Sequence, residues 1–295
     1  MIFNSKYLSM RYPVSFVLVF ILYASFISCK RNHETLPDLN FYNDNYEVGD
    51  VIYSVPSPHQ ISLLIKDDCS LFNEEIFNKF DVRTFSTSEK KAMVFGALIT
   101  DLGYMSLFDQ KNLTLQYLDK IRYLMENSNS GLSNLTLILN RIENNFGKSD
   151  SIISILTEIH RKECETIRTS ERPYLGSLVI AGGWIESFYI LNNLYDKTKN
   201  SSLFGLLLQQ QQILNNILEL LRPYYNKNEE YTELIDKLVE IAYEYEVIDT
   251  SYKNFPPINN DSTTYIRCKF TPTLTGSHLE RIYQLSGALR KNIIY

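Results

Sequence analysis

The chain has 295 residues, of which 44% are hydrophobic and 13% aromatic, with only 11 Gly and 9 Pro. This composition is typical of a packed globular protein and excludes a fibrous or disordered chain. The net charge of −5 argues against nucleic acid as a partner, and against an anionic membrane surface as the main one.

The first 28 residues have the features of an export signal. Lys6 and Arg11 supply positive charge, and the apolar run at residues 14–27 has the length of a signal-peptide core. The run ends in Ile27-Ser28-Cys29, which resembles a lipobox, although residue 26 is Phe where Leu is usual. We therefore expect a signal peptide at residues 1–28 and lipidation of Cys29. An uncleaved N-terminal anchor and an ordinary secretory signal are the alternatives.

Lipidation of Cys29 predicts where the mature protein resides. Two or three acyl chains would hold it on a membrane, because each buried CH₂ contributes about 0.8 kcal/mol. The mature chain would carry 27 basic and 34 acidic residues, a net charge of −7. Lipoproteins sorted to the cell surface in some phyla carry an acidic run after the cysteine, whereas here the sequence is Lys30-Arg31-Asn32-His33. We expect an outer-membrane lipoprotein that faces the periplasm.

The cysteines and histidines predict neither a disulfide scaffold nor a metal site. With Cys29 acylated, Cys69, Cys164 and Cys268 remain, so at most one disulfide can form. The four histidines are scattered, and only His160 lies one helical turn from a cysteine, Cys164. We expect no metal and no cofactor.

Hydrophobic spacing and capping residues predict an all-α fold. Residues 29–55 are polar and lack periodicity, which is typical of a tether, and residues 56–295 form a single helical domain. We expect about eight to ten helices in a bundle or α-α array, with a short irregular or extended segment near residues 259–277. The predicted helices span residues 58–66, 73–80, 86–108, 112–126, 133–146, 150–168, 173–195, 203–221, 230–248 and 278–294.

The segment at residues 173–195, PYLGSLVIAGGWIESFYILNNLY, is apolar almost all the way round. At helical spacing this predicts a central helix that other helices bury on every side. Its exceptions are ordered, since Gly182, Glu186, Tyr189 and Asn193 follow at steps of four, three and four. This stripe is either a functional groove or a close helix crossing.

Glycines predict which helix crosses the central one. Gly96 and Gly103 lie on one face of the helix at residues 86–108. A glycine inside a helix costs about 1 kcal/mol relative to alanine, so two on one face indicate that another helix passes close there. We expect this face to contact the Gly182-Gly183 pair.

Two carboxylates in apolar surroundings are the candidates for chemistry. Asp101 and Glu186 lie on the two helices expected to cross, and a buried carboxylate is costly unless it is hydrogen-bonded or paired. One interpretation is an acid/base pair in a pocket shaped by Tyr104, Tyr189 and Trp184. The other is that each carboxylate accepts hydrogen bonds from neighbours and only sets the helix register.

Four groups of residues together carry a family resemblance: Val55-Pro56-Ser57-Pro58; Gly96 with Asp101-Leu102-Gly103-Tyr104; Ala181-Gly182-Gly183-Trp184-Ile185-Glu186; and Leu279, Ile282, Leu289-Arg290 and Ile293. In these residues the chain resembles a set of helical lipoproteins from Bacteroidota-type bacteria for which no activity is established. The resemblance implies a lipoprotein and implies no reaction.

Three functions remain. The favoured one is a non-enzymatic lipoprotein that binds a protein partner of unknown identity or acts as a scaffold, with no catalytic residue. This function predicts an exposed apolar patch on the order of several hundred Å². The alternatives are a small-ligand or glycan binder with a groove near Glu186, and a hydrolase that uses Asp101 and Glu186 within roughly 10 Å of each other.

Overall fold

The structure is a computed structural model that describes residues 43–48, 51–56, 65, 72–77, 80–126, 135–148, 151–158, 173–247, 249–260, 263–273 and 276–294. All of these lie within one compact unit, Asp38–Tyr295. The predicted signal peptide and Cys29 lie outside the described residues, as do Cys69, His160 and Cys164.

The body of the protein is an all-α bundle, as the sequence predicts. Its eight helices with described bounds are α1 (Ser88–Leu107), α2 (Lys111–Glu126), α3 (Leu135–Glu143), α4 (151–158), α5 (Pro173–Thr198), α6 (Ser201–Leu221), α7 (Glu229–Glu246) and α8 (Gly276–Ile294). The predicted helix at residues 58–66 is described only at Ile65, which is helical and buried. The one predicted at residues 73–80 is a short 3₁₀ turn, Glu74–Ile76.

Two antiparallel hairpins accompany the described helices. β1 (Asn43–Val48) pairs with β2 (Val51–Pro56), so part of the predicted tether forms a hairpin, and β2 lies beside α6. β3 (Asp249–Asn260) pairs with β4 (Thr263–Thr273). The sequence predicts a short irregular or extended segment near residues 259–277, and the structure places β4 there, paired with β3. β3 was not predicted, because Pro256 and Pro257 are unusual inside a strand; they lie at a register shift.

α5 is the central helix, and it continues without a break through Gly182. Almost every residue from Ser177 to Leu194 is buried, because α1, α6 and α8 pack around it. Its described exposed positions begin at Asp196, where the sequence turns polar. Within the described residues it is the one helix long and apolar enough to cross a membrane, yet most of its apolar window is buried inside the protein, which is typical of a core helix.

Asparagine and threonine side chains cap the N-termini of three of the described helices. The Thr87 hydroxyl accepts from the Lys90 amide at the start of α1. Asn200 does the same for Ser202 at the start of α6, and Asn228 for Tyr231 at the start of α7. Each cap satisfies one of the backbone amides that a helix N-terminus leaves without a partner.

Candidate functional site

The crossing of α1 over α5 determines where the two carboxylates lie. A Cβ atom added at Gly96 would lie 2.0 Å from the Val179 carbonyl oxygen, and one added at Gly182 would lie 2.1 Å from the Met93 carbonyl oxygen. The Cβ atom added at Gly96 would also lie 2.8 Å from the Gly183 nitrogen. The helices therefore meet backbone to backbone at the residues that the sequence predicts.

A hydrogen bond reinforces this crossing one turn further along α1. The Thr100 hydroxyl lies 3.1 Å from the carbonyl oxygen of Gly183 on α5 and 3.1 Å from that of Gly96 on its own helix. Asp101 follows Thr100, and Glu186 follows Gly183 by three residues. The close approach thus brings the two carboxylates together. Gly103 is buried in α1, but its predicted contact with α5 remains untested.

Glu186 is held by an arginine from the last helix. The Nε atom of Arg290 donates to both carboxylate oxygens of Glu186, at 2.9 and 2.8 Å, and its Nη2 atom lies 2.7 Å from Oε1. Glu186 is 1% exposed and Arg290 is 2% exposed. Burial by itself would lower the pKa of Arg290, but the charge and hydrogen bonds of Glu186 outweigh it and raise that pKa. Arg290 therefore stays cationic inside the protein, against the Glu186 carboxyl group.

Asp101 completes the cluster, and its pKa is raised. It is 1% exposed, and burial raises its pKa well above the ordinary value. The adjacent Glu186 raises the pKa of Asp101 further, through charge repulsion and through a hydrogen bond between the two carboxyl groups, while Arg290 lowers it. Among the described residues, neither Asp101 oxygen accepts a hydrogen bond. The raised pKa favours the protonated form of Asp101, which could donate a hydrogen bond to Glu186.

Aromatic rings and a lysine surround the cluster. The guanidinium carbon of Arg290 lies 4.2 Å from the centre of the Tyr189 ring. Lys120, on α2, places its Nζ atom 4.1 Å from the Phe80 ring centre and 4.3 Å from that of Tyr117. Burial lowers the pKa of Lys120, while Asp101 and Asp81 act in the opposite direction.

The residues predicted for the pocket or groove do not share one surface: they are Asp101, Tyr104, Trp184, Glu186, Tyr189 and Asn193. Trp184 and Glu186 are two positions apart, so they project on nearly opposite sides of α5. The Trp184 indole donates to the Gln210 side chain on α6 at 3.0 Å, whereas Glu186 binds α8. Tyr104 packs in an aromatic cluster with the rings of Phe72, Phe77 and Phe108.

The predicted stripe on α5 is instead a line of helix contacts. Gly182 meets α1, and Glu186 and Tyr189 meet Arg290 of α8. Asn193 is partly buried and donates to the Tyr189 carbonyl within α5 at 3.2 Å. Of the two interpretations of this stripe, the structure favours the close helix crossing.

Sequence reasoning missed Arg290 as a member of the site. A signal was present, because Arg290 lies four residues after Ser286 and eight after Ile282, both of which are buried on the inner face of α8. An arginine at that register is the natural partner for a buried carboxylate. Sequence reasoning also missed Lys120. Its only signal in the sequence is Tyr117, an aromatic residue three positions earlier on α2.

The cluster can act as an internal tie between α1, α5 and α8. The cationic Arg290 lies against Glu186, which limits the cost of burying that carboxyl group, and the raised pKa of Asp101 limits the cost of burying the third side chain. Among the described residues, no group of three His, Cys, Asp or Glu side chains is placed to hold a metal ion.

No family model, no curated protein and no solved structure matches the chain.

Proposed function

We propose that the protein is a lipoprotein of the outer membrane that faces the periplasm and acts, without catalysis, as a protein-binding or scaffold module. The observation that carries this proposal is the closed state of the carboxylate cluster. Asp101 and Glu186 are each 1% exposed, and Arg290 already occupies both oxygens of Glu186. Carboxylates used on a substrate need access to it, and in the described part of the chain these two are buried.

Support for membrane attachment comes from the N-terminal sequence. The charged start, the apolar run at residues 14–27 and Ile27-Ser28-Cys29 together match a lipoprotein signal, which agrees with the family resemblance. The acyl chains would anchor the protein at Cys29, and the helical domain would face the aqueous side.

Support for a binding role comes from the outer face of α7. Tyr243 is 62% exposed and Val247, just after the helix, is 58% exposed. They are four residues apart, so they lie on the same side, opposite the buried Leu238, Ile241 and Tyr245. Aromatic side chains such as Tyr243 are enriched in protein interfaces. We call Tyr243 and Val247 the α7 surface.

Two alternatives are weaker. A ligand or glycan binder near Glu186 would need an open groove, and a hydrolase would need both carboxylates on a cavity. The hydrolase retains one point in its favour, because Asp101 is near enough to Glu186 for that residue to raise its pKa.

Metabolic labelling with radioactive palmitate tests the anchor. We expect label on the wild-type chain and none on Cys29→Ser, with the wild type in the membrane fraction after washing at high salt. The control is Cys268→Ser, which leaves the lipobox intact and should label like the wild type. Absence of label from the wild type would overturn the lipoprotein proposal.

Crosslinking in membranes, followed by purification with the full-length chain as bait, tests partner binding. We expect a defined crosslinked species that Tyr243→Asp with Val247→Asp reduces. The matched control is Glu233→Lys with Glu240→Lys, which also changes two α7 residues and should retain the species. No specific crosslink from the wild type would overturn a protein-binding role. An activity of the wild type that Glu186→Gln abolishes without unfolding would favour the hydrolase.

A further inference from the structure

Lys120 on α2 lies next to the carboxylate cluster, yet its ammonium group rests against aromatic rings. Its Nζ atom lies 4.1 Å from the centre of the Phe80 ring and 4.3 Å from that of the Tyr117 ring. A cation over the face of an aromatic ring is attracted by the electrons of that ring. The Lys120 side chain is partly buried, and its flexible stem allows the charged end to reach more than one position.

The packing of α1 against α2 places Lys120 at the level of Asp101. A short turn joins the two helices, so they run antiparallel. The Phe77 ring touches both of them, since its centre lies 5.8 Å from that of Tyr104 on α1 and 6.0 Å from that of Tyr117 on α2. Asp101 lies one helical turn before Tyr104. Lys120 lies one helical turn after Tyr117, so in an antiparallel pair it comes opposite Asp101.

Loss of the Asp101 proton would leave a buried negative charge that needs a cation. Glu186, on α5, opposes that charge, while Arg290, on α8, favours it but already donates to both oxygens of Glu186. Lys120 is a second cation that acts on Asp101. Among the described residues, neither Asp101 oxygen accepts a hydrogen bond, and an ammonium group has enough hydrogens to donate to both.

We propose that Lys120 is a movable counter-ion of Asp101. While Asp101 keeps its proton, the ammonium group rests between the Phe80 and Tyr117 rings. Once the proton is lost, the group turns inward and donates to the carboxylate. Asp81, which is exposed, attracts Lys120 from the opposite side, but solvent and salt weaken that attraction.

This movement is a pH-sensitive switch inside the fold, and it does not depend on the proposed protein-binding function. It removes a cation from Phe80, which is partly buried in the segment before α1. Ionisation of one buried carboxyl group therefore changes how α2 holds that segment.

NMR of the full chain in detergent, with lysine labelled at Cε, tests the movement. Protons held over aromatic faces are shifted upfield, so at low pH we expect one displaced lysine signal, which Lys120→Met removes. As the pH rises from about 5 to 8, this signal should move towards those of exposed lysines. In Asp101→Asn, whose amide has no proton to lose in this range, the signal should stay displaced.

Two results of this titration would overturn the proposal. One is a signal that stays displaced in the wild type over the whole range. The other is the same movement in Asp101→Asn, since that movement could not depend on the Asp101 proton.

Urea denaturation separates the switch from simple packing. Lys120→Met should raise the equilibrium constant for unfolding at least about tenfold more at pH 8 than at pH 5, since only the ionised carboxylate needs the ammonium group. In the Asp101→Asn background, Lys120→Met should have the same effect at both pH values within about twofold. Lys111→Met, at an exposed position on the same helix, is the control and should show no such pH dependence. If the effect of Lys120→Met on the otherwise wild-type chain is the same at both pH values, the proposal fails.

Discussion

Arg290 in the last helix donates from Nε to both carboxylate oxygens of Glu186 in the central helix, at 2.9 and 2.8 Å, although 104 residues separate them. Because Asp101 of α1 also contacts Glu186, three helices depend on one buried carboxylate. Substitutions at these residues should therefore change the stability of the fold, whatever the function of the protein.

Arg290→Met should strongly destabilise the fold. The change leaves Glu186 buried without its counter-ion, and breaking one side of a buried pair costs about 3–5 kcal/mol. The free energy of unfolding from urea denaturation measures the loss. Lys291→Met, at the adjacent exposed position, is the control and should change stability by less than about 0.5 kcal/mol. Equal effects of the two variants would show that the Arg290 pair contributes nothing to stability.

Asp101→Asn should be tolerated at neutral pH, whereas Asp101→Leu should not. An asparagine amide can donate to Glu186 as the protonated carboxyl does, so we expect stability equal to or above that of the wild type. Leucine removes the donor and should cost about 1–3 kcal/mol. Urea denaturation of both variants at one pH makes the comparison. If asparagine is as harmful as leucine, Asp101 is not a proton donor in the folded state.

Stability should fall as pH rises above the ordinary pKa of Asp101. Its pKa in the folded state lies above the value of 3.8 in the unfolded state. At a pH between these two pKa values, the folded state keeps a proton that the unfolded state has lost. The stability that this proton contributes is therefore complete below the unfolded pKa and is lost as pH rises through the folded pKa. The free energy of unfolding falls by up to about 1.4 kcal/mol per pH unit in that range. Glu186 opposes ionisation of Asp101, and Arg290 and Lys120 favour it.

The difference between wild type and Asp101→Asn isolates this effect from other titrating groups. We expect the stability of the wild type to fall relative to Asp101→Asn as pH increases above about 4. Parallel stability curves over the range would contradict a raised pKa at Asp101.

Gly96→Ala and Gly182→Ala should each destabilise the protein. A methyl group would lie 2.0 Å from the Val179 carbonyl oxygen in the first and 2.1 Å from that of Met93 in the second, so the helices must separate. Overpacking of this kind costs about 1–3 kcal/mol or more. Thermal unfolding followed by circular dichroism measures it.

Gly287→Ala, on α8, is the matched control for the glycine variants. Its added methyl would find its nearest neighbour at 3.9 Å, an ordinary contact with the Tyr189 ring. Alanine is favoured over glycine inside a helix by about 1 kcal/mol, so this variant should be slightly more stable than the wild type. A loss as large as that at Gly96 would mean that glycine itself, and not the crossing, matters.

Periodicity predicted most of the fold, and it failed where pairing depends on distant residues. The boundaries of α1, α5 and α6 lie within about three residues of the predicted ones, because capping residues and apolar spacing act locally. The partner of β4 was missed because the two prolines of β3 obscured its strand character.

The candidate site was predicted in part. Asp101 and Glu186 stood out as charged residues in apolar helices, and Gly96 with Gly182 indicated that these helices meet. Trp184 was placed with them wrongly, since a sequence does not show which side of an all-apolar helix faces which neighbour.

The amino-acid sequence by itself determined the helical class, the buried central helix and its glycine crossing, because helix formation and burial follow from side chains within a few turns. Only the tertiary structure decided that Arg290 meets Glu186, that burial raises the pKa of Asp101 and that Trp184 turns toward α6. Those outcomes depend on distances between residues that are far apart in the chain. They also depend on the cost of burying a charge without a partner, and this cost arises only once the helices have packed.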